Sequence, residues 1–258
     1  MTSDRLHKYG PAIVLFVGAL AVWEGAVRVF DIQGFILPAP SAIAATFASQ
    51  WSELWPAGLG TFLSALGGLA LGSVVAFLAS LSAARWTAVR DGAMPLAIAA
   101  NSTPIIVLAP IANAWFGLLS PFGTIAVVAV LVFFPIMINL VRGLTAAPAT
   151  QVELMRSYAT PSRTVLAKLQ MPSALPYLFS AMKVAVALSV IGAIVKEYFG
   201  GPQDRLGQYI TLKAGLFQFE EAWAAIVLAS AFGILLYTVV VALERRVMPW
   251  HVSVRSAS

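Results

Sequence analysis

The sequence predicts an all-α integral membrane protein with six transmembrane helices. Hydrophobic residues make up 60% of its 258 residues and charged residues only 10%, whereas a soluble domain carries about 25% charged residues. Six apolar runs approach the roughly 20 residues that a membrane crossing needs. The runs are residues 11–30, 59–84, 94–116, 124–144, 175–198 and 222–243. Little sequence is left for a soluble domain, so we expect one transmembrane domain over residues 1–258.

Basic residues between the runs predict the orientation. They gather before the first run and after the second, fourth and sixth runs. These residues are Arg5, Lys8, Arg85, Arg90, Arg142, Arg156, Arg163, Lys168, Arg245, Arg246 and Arg255. By the positive-inside rule, this alternation places both termini in the cytoplasm, although Arg205 and Lys213 in the fifth loop weaken the pattern. The net charge of +5 is scattered between apolar runs, so it gives no indication of nucleic-acid binding.

The first run is expected to stay in the mature protein. A cleaved signal peptide is the alternative, but the run is long, contains Glu24 and shows no small-residue cleavage motif before Asp31. Glu24 and Arg28 are four residues apart, so they can pair on one helix face. Either this structural pairing or a contact with substrate accounts for them.

Small residues recur at every fourth position in the second and fifth runs. This spacing lets membrane helices approach closely. Because four residues exceed one helical turn, we expect the longer stripe to wind around its helix and to serve more than one neighbour. The stripes are Gly60, Ser64, Gly68, Gly72, Ala76, Ser80 and Ala84, and Ala181, Ala185, Ser189 and Ala193.

Residues 145–174, between the fourth and fifth runs, are too many for a simple connection. Thr150 and Glu153 have capping-box spacing, which predicts a short helix that Pro161 ends. A second short helix is expected from Pro161 through Leu169. Pro172 and Pro176 are expected to interrupt the chain before the fifth run. The sequence therefore predicts that this loop forms a basic helical hairpin.

In this loop the sequence resembles the membrane subunits of binding-protein-dependent ATP-binding-cassette (ABC) importers. Their motif reads Glu-Ala-Ala, three residues, Gly, nine residues, Ile-x-Leu-Pro. Glu153, Leu154 and Met155 stand at Glu-Ala-Ala, Ala159 stands at the Gly, and residues 169–172 end the motif. Three further segments resemble the nitrate, sulfonate, taurine and pyrimidine-precursor branch: Leu37–Ser41, Pro104–Gly117 and Pro249–His251.

The resemblance implies the fold of a type I ABC importer permease in the bacterial cytoplasmic (inner) membrane. The loop's short helix is then a coupling helix that docks on an ATPase, and it contains Glu153, Leu154, Met155, Arg156, Ser157, Tyr158 and Ala159. Because Ala resists a left-handed conformation, we expect an ordinary helical turn at Ala159.

The resemblance also implies the partners. They are a second permease copy, surrounding membrane lipid, two cytoplasmic ATPase subunits that bind ATP and Mg, and an extracytoplasmic substrate-binding protein. A paralogous permease chain is the alternative to the second copy. The substrate is a small solute, for which the sub-branch of pyrimidine, thiamine-precursor or riboflavin importers fits better than that of nitrate, taurine or aliphatic sulfonates.

Polar residues inside the runs are candidates for the translocation path or a gate. Asn101, Ser102 and Thr103 directly precede Pro104, which can bend the third helix and leave backbone groups facing a cavity. The other candidates are Asn139, Lys183 and Glu197. For each, a bond to a neighbouring helix is the alternative. Glu197 needs a partner other than Lys196, because adjacent helical residues do not face each other.

No catalytic, cofactor-binding or metal-ligating residue is predicted. The sequence contains no Cys, and its two His, His7 and His251, lie near opposite ends. It contains no phosphate-binding loop of the Gly-x-x-x-x-Gly-Lys-Ser/Thr type, so we expect a transport subunit rather than an ATPase. A secondary transporter and a membrane enzyme are the rival classes, but the sequence lacks internal repeats and the Gly-x-Ser-x-Gly motif.

Overall fold

The computed structural model describes residues 2–249, with side chains described for residues 10–104 and 106–249. The described residues form eleven α-helices and one π-helical segment. The elements are α1 (Thr2–Val29), α2 (Pro40–Ser49), α3 (Trp51–Arg85), α4 (Thr87–Asn101), α5 (Ile105–Phe116), α6 (Pro121–Thr145), α7 (Ala149–Ser157), α8 (Ser162–Val165), the π segment (Leu166–Gln170), α9 (Met171–Tyr198), α10 (Leu206–Gly215) and α11 (Phe219–Val247). Trp250, His251 and Arg255, and the side chains of Arg5, His7 and Lys8, lie outside the described residues.

The all-α membrane class is confirmed. Five helical stretches are long and apolar enough to cross a membrane: Gly10–Val29, Trp51–Arg85, Pro121–Thr145, Ser162–Tyr198 and Phe219–Val247. The third apolar run is not one straight helix, because α4 and α5 meet at an angle of 101°. Proline has no N–H and disfavours the helical conformation of the preceding residue, which explains a break at Thr103 and Pro104. Helices α4 and α5 count as a sixth membrane span only if the two together form one crossing.

The core lies where α3, α6, α9 and α11 pack together. The small-residue stripe of α3 is buried from Gly60 to Ser80, and that of α9 is buried throughout. Gly68 and Gly72 lie against Val128 and Ala129 of α6. Gly58, two residues before the stripe begins, instead lies against Leu228 and Phe232 of α11. Gly60, the first residue of the stripe, lies against Arg205. The stripe thus contacts more than one neighbour, as expected.

Replacement of Gly72 by Ala is expected to destabilise the helix bundle. A methyl group there would overlap the Ala129 carbonyl and the Val132 side chain, and overpacking of this kind costs about 1–3 kcal/mol. Gly67→Ala is the matched control, because its methyl group would meet only Ile125, at 3.5 Å. We expect the control to match or exceed the wild type in thermal unfolding of the purified protein. Equal unfolding of the two variants would mean that α3 and α6 do not need close approach.

The short helix α7 does not use the predicted capping box. It begins at Ala149 after Pro148, and no side chain caps its first turn. Pro148 supplies the extended residue before the helix, so the helix starts earlier than expected. Thr150 and Glu153 thereby fall inside α7 instead of flanking its first turn, and the capping-box prediction is wrong.

The expected second short helix, with a break before the fifth span, is also wrong. The chain from Ser162 to Tyr198 is helical throughout, and the π segment joins α8 to α9. At the junction the Met171 N–H donates to the Leu166 carbonyl, five residues back. A wider turn relieves the clash that the Pro172 ring makes in a regular α-helix, so the proline does not end the helix.

Helix α1 is held mainly near its C-terminal end. The predicted ion pair of Glu24 and Arg28 is present, with 2.6 Å between Oε1 and Nη2. Glu24 also accepts bonds from the Ser41 backbone N–H, at 3.0 Å, and from its hydroxyl, at 2.7 Å. A carboxylate at a helix N-terminus is favourable, so Glu24 joins α1 to the first turn of α2. Trp23 adds an edge-on contact with Trp223 of α11, with 5.3 Å between ring centroids.

Candidate functional site

Helix α7 presents most of its side chains to the surroundings. Glu153, Leu154, Arg156, Ser157 and Tyr158 are exposed, and Met155 is half-buried. Leu154 and Tyr158 are 57% and 78% exposed. Burial of apolar and aromatic side chains is favourable, so both side chains would be stabilised by contact with a partner. The helix lies between α6 and the continuous α8–α9 helix. It is therefore a short exposed element connected at both ends to membrane-length helices.

Ala159 ends α7 in the left-handed conformation, with φ of 53°. Its N–H donates to the Arg156 carbonyl at 2.8 Å, and the Thr160 N–H donates to the Met155 carbonyl at 3.1 Å. These two bonds form a Schellman motif, which requires a left-handed residue and usually uses Gly. The expected ordinary helical turn is wrong, because the paired bonds outweigh the roughly 1–2 kcal/mol that a Cβ adds there.

The break between α4 and α5 brings polar residues to a small cavity. Asn101, Ser102 and Thr103 are all exposed at the break. Asn101 and Thr103 line a cavity of about 200 Å³ together with apolar residues of α5 and α6. Ser102 instead bonds within α4, where its hydroxyl donates to the Ile98 carbonyl at 3.4 Å. The break thus exposes polar groups beside apolar side chains of α5 and α6.

Asn139 and Lys183 have partners nearby. The Asn139 side-chain amide donates to the Pro135 carbonyl of its own helix at 2.8 Å. Lys183 pairs with Glu244 of α11, with 2.6 Å between Nζ and Oε2. Glu244 is buried, so this ion pair ties α9 to α11. The Lys183 contact matches the alternative in which a polar group bonds to a neighbouring helix, whereas the bond of Asn139 stays within α6.

Glu197 lies in a buried cluster at the C-terminal end of α9. Its Oε2 accepts a bond from the Thr61 hydroxyl at 2.8 Å and one from the Gly207 N–H at 3.3 Å. The Leu206 N–H donates to the Thr61 hydroxyl at 2.9 Å. The expectation that Glu197 bonds to a residue other than Lys196 is confirmed. We call Thr61, Lys196, Glu197, Arg205 and Gly207 the Glu197 cluster.

Two ionisable side chains are fully buried in the Glu197 cluster. Lys196 and Glu197 are both 0% exposed. Lys196 packs against Gly123 at the start of α6, and the Arg205 guanidinium lies against Gly60 of α3. Among the described residues, Lys196 Nζ and Glu197 Oε1 have no hydrogen-bond partner. The hydrogen bonds of Glu197 join α9 to α3 and α10, and the packing of Lys196 and Arg205 adds contacts with α6 and α3.

A second polar group lies on α10 and at the start of α11. The Tyr209 hydroxyl donates to Glu221 at 3.2 Å, and Lys213 pairs with the same carboxylate. Burial, together with the nearby Glu221 charge, raises the pKa of the Tyr209 phenol. Tyr209 therefore stays a neutral hydrogen-bond donor at physiological pH. No group of residues able to hold a metal ion is found in the part of the chain that the structure describes.

Sequence reasoning missed the partners of Glu197. Thr61 follows the first glycine of the α3 stripe, and Arg205 and Gly207 lie in the loop between the fifth and sixth apolar runs. Nothing in the local sequence pairs positions 136 residues apart, which is the separation of Thr61 and Glu197. The glycines at 200 and 201 before α10 were the available sign that the chain turns back on α9.

The long apolar helices, the broken α4–α5 pair and the exposed α7 define a helical membrane protein with a surface available to a partner. Comparison with known proteins identifies its family. Residues 68–249 match the family described as "Binding-protein-dependent transport system inner membrane component", and the chain belongs to this family.

Relatives with described roles agree with the family match. The chain is 32% identical to the formylaminopyrimidine transport permease protein ThiX of Halalkalibacterium halodurans, over 92% of this chain and 94% of ThiX. It is 29% identical to the riboflavin transport system permease protein RibX of Chloroflexus aurantiacus, over 91% and 87%. It is 24% identical to the putative aliphatic sulfonates transport permease protein SsuC of Bacillus subtilis, over 93% and 86%.

A solved structure confirms the fold. The crystal structure of an amino acid ABC transporter with histidines superposes with a TM-score of 0.62 at 14% identity, over 77% of this chain and 96% of that one. The chain is therefore a permease subunit of a binding-protein-dependent ABC importer, in the branch that contains its relatives. It is an inner-membrane transport subunit that works with an ATPase and a binding protein.

Proposed function

We propose that the chain forms the translocation path for a pyrimidine, a thiamine precursor or riboflavin. The support is the likeness to ThiX and RibX, whose names give formylaminopyrimidine and riboflavin as their solutes. Import of an aliphatic sulfonate is the second candidate, supported by the weaker likeness to SsuC. Nitrate and taurine are further members of the same alternative.

The proposed assembly has two copies of this chain, two ATPase subunits and one extracytoplasmic binding protein. Each chain carries a single α7, which suits one ATPase subunit per permease copy. ATP and Mg bind to the ATPase subunits, since this sequence lacks a phosphate-binding loop of its own. In this proposal both termini and α7 face the cytoplasm, in line with the positive-inside rule.

We assign the coupling role to α7 and the left-handed residue that ends it. The observation that carries this assignment is the exposure of α7 between two membrane-length helices. A helix connected in this way passes on a rigid-body motion of the ATPase. The residues assigned to docking are Glu153, Leu154, Met155, Arg156, Ser157, Tyr158 and Ala159.

Asn101, Ser102 and Thr103 are assigned to the translocation path. Their exposure at the α4–α5 break supports this role, because interrupted helices are tolerated where they line a cavity. For Asn139, Lys183 and Glu197, the contacts support a structural role instead.

The proposed solute is tested by uptake into proteoliposomes. The vesicles contain this chain with its ATPase and binding protein, and the panel includes formylaminopyrimidine, riboflavin, an aliphatic sulfonate and nitrate. We expect ATP-dependent uptake of the pyrimidine or of riboflavin alone. Vesicles without the ATPase are the control, and uptake there would indicate a secondary transporter. Uptake of the sulfonate alone would favour the second candidate.

The orientation is tested with reporter fusions. A reporter after Ala84 or Arg156 is expected to be cytoplasmic, and one at Asp31 or Gln203 is expected to be outside, because basic residues stay on the cytoplasmic side. Alkaline phosphatase and green fluorescent protein fusions at the same four sites give opposite signals for each location. An outside reading at Arg156 would contradict both the orientation and the coupling assignment.

A further inference from the structure

A cavity lined by arginine lies beside α7, and none of its lining residues belongs to the α4–α5 break. Its volume is about 340 Å³, within the roughly 300–1,000 Å³ typical of small-ligand sites. Arg85 comes from the end of α3, Arg156 from α7 and Arg163 from α8. Three helices thus bring their positive charges to one place.

These charges have no counter-charge within the described residues. None of the described side chains that line the cavity is acidic. In the same part of the chain, Arg85, Arg156 and Arg163 form no ion pair. The Thr160 and Ser162 hydroxyls add hydrogen-bond donors to the lining. Like charges repel, so the arrangement favours a bound anion, and guanidinium groups match the geometry of phosphate.

The cavity also has an apolar side. Leu81 and Ala84 of α3 line it together with Val165 and Leu166. The charged lining and the apolar lining therefore meet in one cavity. A soluble anion uses only the charged part, whereas a lipid uses both, because its phosphate joins a charged group to hydrocarbon chains.

The surrounding residues place the cavity at the edge of the apolar layer. Leu78, on α3 before the cavity, is 57% exposed, as expected for a side chain that faces lipid tails. Arg85 follows the last apolar turn of α3, and Trp86 next to it is 58% exposed. Tryptophan is enriched at the level of lipid headgroups. The cavity therefore lies where the phosphate groups of the membrane are found.

We propose that this cavity binds the phosphate of an anionic phospholipid. The guanidinium groups of Arg85 and Arg163 hold the phosphate, and the first part of the acyl chains lies along Leu81 and Val165. A bound lipid would then contact both α7 and α3, which ties the exposed helix to the membrane surface. This inference does not depend on which solute the importer carries.

Native mass spectrometry of the purified chain tests the proposal directly. Phosphatidylglycerol and phosphatidylcholine are titrated against the wild type, and we expect one phosphatidylglycerol per chain to be retained in preference. Inorganic phosphate at millimolar concentration is expected not to displace the lipid. Displacement by phosphate would assign the cavity to a soluble anion, and equal retention of the two lipids would overturn the proposal without any variant.

The variant Arg85→Gln/Arg163→Gln identifies the site. Each cation near an anionic membrane surface contributes about a fivefold effect, so affinity for phosphatidylglycerol is expected to fall about 30-fold. The matched control is Arg90→Gln/Lys168→Gln, which removes the same charge from residues that do not line the cavity. Unchanged lipid affinity with weaker co-purification of the ATPase would instead assign the cavity to an acidic side chain of that partner and would overturn the lipid assignment.

Discussion

Replacement of Glu197 by Ala is expected to lower the free energy of unfolding by about 1–3 kcal/mol, because it leaves buried hydrogen-bond donors without their acceptor. Glu197 is 0% exposed. Glu197 also accepts bonds from Thr61 and from the Gly207 N–H. The change therefore removes a carboxylate that α3, α9 and α10 share. Thermal unfolding of the purified protein in mild detergent, followed by circular dichroism, measures the loss.

Two further variants separate the contributions at Glu197. Glu197→Gln keeps an acceptor oxygen for Thr61 but removes the charge, so its stability is expected to lie between those of the wild type and Glu197→Ala. Glu220→Ala is the control, because Glu220 is exposed and bonds only weakly to Thr46, at 3.4 Å. We expect the control to change stability by no more than about 0.5 kcal/mol. If Glu197→Ala unfolds like Glu220→Ala, the cluster does not hold the helices together.

Charge reversal at Arg156 is expected to reduce uptake and ATP hydrolysis stimulated by the binding protein together, by about tenfold or more, since like charges across a docking surface repel. Glu153→Ala is expected to act in the same direction with a smaller effect. Glu153 does not cap α7, and its side chain is exposed. Its loss therefore changes stability by no more than about 0.5 kcal/mol, and a functional defect reports docking.

The coupling variants are compared in reconstituted vesicles that contain the ATPase and the binding protein. Gln151→Ala is the matched control, because Gln151 is exposed on the same helix and carries no charge. Asn101→Ala represents the path residues, and it is expected to lower uptake more than stimulated hydrolysis. Full stimulation in both coupling variants, with stimulation lost in Asn101→Ala, would show that α7 is only a connection.

The sequence predicted the features that depend on periodicity. The pairing of Glu24 with Arg28 follows from a spacing of four residues within one helix, and the structure contains it. The small residues of α3 and α9 were likewise expected to be buried from their fourfold spacing, and most of them are. Both are properties of a single helix, so the order of residues along the chain is enough to predict them.

Features that depend on distant contacts or on competing local bonds were not predictable. Glu24 also bonds to Ser41, and Glu197 bonds to Thr61, but the sequence does not indicate which helices become neighbours. At Ala159 the prediction rested only on the low propensity of alanine for the left-handed conformation. The two Schellman bonds outweigh it. At Thr150 a capping pattern competed with Pro148, and the proline determined where α7 begins.

The way α1 is held has a mechanical consequence. Only 6% of the most apolar stretch of α1 is buried. The described side-chain contacts of α1 with the rest of the chain, made by Trp23, Glu24 and Arg28, lie near its C-terminal end. From Trp23 back to Gly10 the helix extends for about 20 Å. It therefore behaves as a lever with its pivot near Glu24. A tilt of about 10° at the pivot moves the other end by about 3.5 Å, given that length. Contacts with the rest of the described chain therefore do not fix the lateral position of that end.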